Sequence, residues 1–134
     1  MVAVYLAFIL WKTLLCREPG PEYQLKLEPF WSWKKLFDEN SPQLTQVLLN
    51  IALFIPFGGM LYTVLTGNQK KRLLLTIVCG FLLSSFIELS QLIFKLGLCE
   101  LDDVLDNTMG TAIGAVLVYY FLRIMRSIRH VERT

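Results

Sequence analysis

Charged residues make up only 18% of this 134-residue chain, and histidine occurs once. Ordinary globular chains carry about 25% charge, so the deficit argues against a normal water-facing surface. The one histidine, His130, stands in a basic tail. A Ser–His or Cys–His nucleophilic pair is therefore excluded from the apolar part of the chain. Three cysteines, Cys16, Cys79 and Cys99, show no metal-ligand spacing. Cys16 and Cys99 are expected near the same side, but spacing fixes no pairing, and all three are read as free thiols. A net charge of +2 gives no reason to expect a nucleic-acid partner. No cofactor is implied. Residues 1–16 are not expected to act as a secretory leader. No basic residue precedes the first apolar run, residues 1–16, and no small-residue cleavage site follows it. That run reads as a short uncleaved helix, with Lys12 reaching for an interface.

What the chain does have is hydrophobic length. It is 54% hydrophobic, with a mean hydropathy of +0.51, and the excess comes in blocks. A bilayer-spanning helix needs about 20 mostly apolar residues. The reading is one all-α domain over residues 1–134, a multi-pass membrane bundle of four transmembrane helices. The spans fall at about 2–16, 44–66, 73–95 and 103–122, and a basic tail occupies 123–134. Between the first two spans, Pro/Gly-punctuated REPGPEYQ predicts irregular chain. After it, Phe30, Trp31, Trp33, Leu36 and Phe37 surround Lys34 and Lys35. Aromatics beside lysine suit the headgroup level, so a short interfacial helix or turn is expected after Pro29.

Lys and Arg in short connections orient membrane helices. Lys70, Lys71 and Arg72 join the second and third spans, and Arg123, Arg126, Arg129 and Arg133 follow the fourth. These segments are assigned to the cytoplasm, with both termini on that side. The acidic connection LGLCELDD then falls outside, as does 17–43.

The most informative stretch is LDDVLDNTMGTAIG, residues 101–114. Asp103, Asn107, Gly110 or Thr111, and Gly114 fall on one helical stripe. In the third span Ser84, Glu88 and Gln91 share a face. A carboxyl within a spanning segment is costly and normally faces a protein interior or water. Counting along the spans at about 1.5 Å per residue, Asn50, Glu88, Gln91, Asp103 and Asn107 reach similar depth near the outer surface. In the second span Pro56 and Gly58–Gly59 predict a kink. Gly110 and Gly114 form a GxxxG, which permits close helix approach and is expected to pack the fourth span on the second or third.

Together these blocks resemble a family. NIALFIPFGGML, FIELSQ and ELDDVLDNTMGTAIG are similar, in order and spacing, to the three blocks of the VanZ-like membrane proteins, and LEPFWSW resembles that family's Pro-Phe segment. Residue by residue, the resemblance points to Asn50, Glu88, Gln91, Asp102, Asp103 and Asn107 as polar site positions. It points to Phe54, Pro56, Gly58, Gly110 and Gly114 as structural ones. Two positions depart from the pattern: Leu98 stands where the family usually has Arg, and Glu100 where it commonly has Asp.

The family takes its name from a member associated with reduced susceptibility to teicoplanin, a lipid-tailed glycopeptide. The expected partner is thus a membrane lipid or lipid-linked envelope molecule, bound or modified at the outer leaflet. Two other readings stand beside it. One is an intramembrane enzyme with Glu88 as acid or base, in one version helped by a divalent cation on Asp102 and Asp103. The other is a structural or assembly subunit whose polar cluster only locks helices together.

Overall fold

The computed structural model describes residues 1–35 and 42–131. Leu36, Phe37 and Arg133, which carried part of the reading above, lie outside the described residues.

The chain is mostly helical. Three helices are long and apolar enough to cross a membrane: α3 (Gln43–Val64), α4 (Gln69–Ile93) and α5 (Leu101–Val131). A shorter apolar helix precedes them. Its regular part, α1 (Val2–Leu10), passes into a π-helical turn, Trp11–Leu15. There Thr13 Oγ1 donates to the Ile9 carbonyl at 2.8 Å, and the Cys16 amide reaches back five residues to Trp11. Such a turn widens the helix, often beside a functional site.

The long helix α4 turns its faces the opposite way from a helix of a water-soluble protein. On α4, Leu74, Val78, Phe81, Leu82, Phe86, Leu89 and Ile93 are all exposed, while Thr76, Ser84, Glu88 and Gln91 are buried. The exposed set recurs at steps of three and four, one continuous apolar stripe. With polar groups inside and hydrocarbon outside, the bundle is a membrane protein.

α5 packs along α3, with α4 beside it. At the seam a side chain on Gly110 would meet the Ile51 carbonyl, and one on Gly114 the Ile55 carbonyl. The GxxxG thus brings α5 backbone onto α3 backbone, the second predicted span. Gly58 answers from α3, lying against the Thr111 backbone. α3 continues as one helix through Pro56. Proline lacks the amide that would serve the Ala52 carbonyl. At the neighbouring carbonyl, Leu53, Tyr5 donates its hydroxyl proton at 2.9 Å and pins α1 beside the proline. Phe54 is fully buried, edge-on to Phe57 at 5.9 Å and clustered with Ile9 and Ile87.

One element escaped the sequence reading. β1 (Gln24–Lys26) and β2 (Leu98–Glu100) form a two-stranded parallel ladder, pairing Gln24 with Leu98, Leu25 with Cys99 and Lys26 with Glu100. Residues 17–23 stay irregular as read, and Gln24–Lys26 then pairs across the end of the bundle. A four-residue helix, α2 (Trp31–Lys34), follows Pro29 as expected. Its Trp31 and Ser32 are buried, so it caps the bundle end rather than lying free.

Candidate functional site

At one end of the bundle meet the last turn of α1, the ladder, α2, the start of α3, the end of α4 and the start of α5. The polar residues singled out on three separate helices converge there. Asn107 donates from Nδ2 to Ser84 Oγ at 2.8 Å, joining α5 to α4. The Glu88 carboxylate accepts the Glu100 backbone N–H at 3.0 Å, joining α4 to β2. Gln91 donates to the Thr13 carbonyl at 3.2 Å, tying α4 to α1. All of these side chains except Thr13 are buried or nearly so.

The neighbouring carboxylates Asp102 and Asp103 do different things. Asp102, fully buried, accepts from the Phe30 amide at 2.6 Å and the Ser32 amide at 2.8 Å. It holds the start of α2 and does not line the cavity described next. Asp106 similarly accepts from Trp33 Nε1 at 3.0 Å. Asp103 instead faces the interior space, where Gln46 donates to it at 3.2 Å and to Glu100 at 2.9 Å. The Asn50 amide nitrogen is buried beside Asp103 without closing a hydrogen bond.

This space is a cavity of about 330 Å³ lined by Arg17, Trp31, Gln43, Gln46, Asn50, Leu98, Glu100 and Asp103. A second, mainly apolar groove of about 700 Å³ runs between the end of α1 and α3, past Thr13, Thr45, Leu49 and Leu53. The two share Arg17, Gln46 and Asn50. A polar chamber therefore adjoins a mainly apolar groove, with these three residues between them.

Arg17 and Gln46 were not found from sequence. Gln46 is one helical turn before Asn50, on the same face, and that spacing could have revealed it. No local pattern flags Arg17. It reaches the site because the π-helical turn ends just before it, and its Nη1 donates to Gln91 Oε1 at 3.3 Å and the Leu96 carbonyl at 3.4 Å. Gly97 makes room: at φ 133 it adopts a glycine conformation, and a Cβ there would stand 2.7 Å from the Arg17 guanidinium. Leu98 does line the cavity where the family pattern has Arg. A guanidinium arrives nevertheless, from 17.

Glu100, in β2, is 2% exposed. Burial and the adjacent Asp103 charge push its carboxyl up to about 7, against the Gln46 hydrogen bond. Burial likewise raises the Cys99 thiol. Cys16, Cys79 and Cys99 are free. Among the described residues no group of three or more His, Cys, Asp and Glu side chains is arranged to hold a metal. His130 belongs to the far end of α5.

The model of the VanZ/LLP1 family matches residues 2–124. No curated protein and no solved structure matches the chain.

Proposed function

For a chain that thus belongs to the VanZ/LLP1 family, we propose a multi-pass envelope membrane protein that holds an amphiphile at the outer leaflet. The head sits in the polar cavity and the tail in the apolar groove. The observation that carries this reading is the adjacency of the two spaces, which share Arg17, Gln46 and Asn50. A soluble metabolite has no use for the groove, and a plain hydrocarbon none for the cavity. The short apolar helix completes four spans, and both termini face the cytoplasm. In support, Lys70 and Lys71 are exposed at the α3–α4 connection, at the end opposite the cavity. A lipid-tailed glycopeptide of the teicoplanin kind is one amphiphile such a site would take, and lowered susceptibility is the phenotype this reading expects.

Photo-crosslinking tests it. A crosslinking residue at Leu49, in the groove, should capture a labelled membrane amphiphile well above the same residue at Phe81, on the exposed stripe of α4. Equal capture at both would mean bulk lipid contact only, and would sink the proposal. Orientation has a separate check. Cys16 is exposed at the cavity end, and a membrane-impermeant thiol reagent should label it from outside in intact cells but not a cysteine placed at Lys70.

A further inference from the structure

Within that amphiphile reading, we infer that the head is zwitterionic: a phosphate-type anion bound by Arg17 and, a short linker away, a primary ammonium bound by Glu100 and Asp103. The inference rests on which charges line the cavity and which are already answered. One cation, Arg17, and two acids, Glu100 and Asp103, share a lining that is otherwise uncharged. Among the described residues the single ion pair is Lys34 with Glu28, out on the surface. So no ion pair closes between the two signs in the cavity, although the Arg17 charge acts on Asp103 across it.

The donors and acceptors point the same way. Arg17 is exposed and spends one nitrogen on Gln91 and Leu96. A guanidinium carries five N–H donors in a planar fork suited to phosphate, so most of that capacity is not used by these two bonds. On the other wall, Gln46 gives one amide nitrogen to both acids, and the two carboxyls meet each other. Together they offer more acceptor positions than one amide can fill. A primary ammonium brings three donors to that gap.

A purely anionic head would satisfy Arg17 and set like charge against the acids. A trimethylammonium head has no N–H to give, and such heads are held by open aromatic faces. Trp31 is the aromatic residue in the lining, and its ring already carries Lys26 Nζ at 3.5 Å and Lys35 Nζ at 5.3 Å. The tail then leaves past Arg17, Gln46 and Asn50 into the groove.

The test uses full-length protein, delipidated in detergent and exposed to mixed vesicles of equal phosphatidylethanolamine, phosphatidylglycerol and phosphatidylcholine, with retained lipid read by native mass spectrometry. Wild type is expected to keep phosphatidylethanolamine about tenfold over each of the others, the scale of one charge-assisted hydrogen bond to a fitted partner. Arg17→Gln, at an exposed position that should not disturb folding, is expected to lose about tenfold of that retention. Phosphatidylglycerol or phosphatidylcholine kept as strongly by wild type would overturn the head assignment and leave the amphiphile reading standing. Leu49→Trp fills the groove. If it keeps all three lipids as wild type does, the amphiphile reading itself falls, and the head assignment with it.

Discussion

Along α5, residues 102–107 send polar side chains to neighbours turn after turn, whereas from Gly110 onward its contact with α3 runs through backbone and methyl groups. In the first stretch Asp102 reaches α2, Asp103 reaches Gln46, Asp106 reaches Trp33 and Asn107 reaches Ser84. In the second, Gly114 lies on the Ile55 carbonyl and Val118 lies beside Gly59. One helix thus meets its neighbours by two methods. Close approach holds two helices together and is indifferent to what lies beyond them. Directed hydrogen bonds recruit short, distant segments that could not pack by area alone. The polar half of α5 therefore gathers α2 and the α3 N-terminus around a cavity, and the apolar half only has to stay in place.

The sharpest way to break this contrast is Asp102→Ala. It orphans the buried Ser32 amide, at about 1–3 kcal/mol, and the part-buried Phe30 amide, and should release α2. A large fall in thermal midpoint, with a red shift in tryptophan emission, is expected; an unchanged spectrum would mean α2 is held otherwise. Gly114→Ala attacks the other half. Its methyl would press on the Ile55 carbonyl, an overpacking cost of about 1–3 kcal/mol, with folded yield lowered and no change in the tryptophan signal. Trp33→Phe leaves Asp106 without its donor, a loss of about 1–2 kcal/mol by thermal melting, smaller because only one bond goes.

The fourth prediction concerns pH. Glu100 titrates near 7 when folded, against an ordinary 4.5. Between those values the folded protein binds the proton that the unfolded chain releases, so this carboxyl favours folding less and less as pH rises through that window. Melting midpoints should fall from pH 5 to pH 8, and Glu100→Gln should flatten part of the slope. Parallel profiles would mean that other buried acids set it. The smallest effect belongs to the exposed Lys34–Glu28 pair, where Lys34→Ala should leave the midpoint unchanged.

The three long apolar helices, the shared face of Ser84, Glu88 and Gln91, and the stripe from Asp103 to Gly114 were legible because helix periodicity is local. The division of labour between Asp102 and Asp103 was not. Successive helical side chains diverge by about 100°, so two adjacent carboxylates address different neighbours, and only the fold says which. Arg17 was hidden for a stronger reason. Its place depends on a π-helical turn and on Gly97, some eighty positions away. The ladder was likewise invisible, since three-residue strands in a loop carry no repeat to detect.

That ladder has a consequence for how the protein is made. Gln24 has no partner until Leu98 leaves the ribosome, and at about 5–20 residues per second the wait is roughly 4–15 s. During that interval the first helix is held beside α3 only by contacts such as Tyr5 on Leu53, and the cavity lacks its Glu100–Asp103 wall. A nascent chain stalled before Leu98 should therefore present β1 to protease, and protection should appear only once α5 has begun to insert.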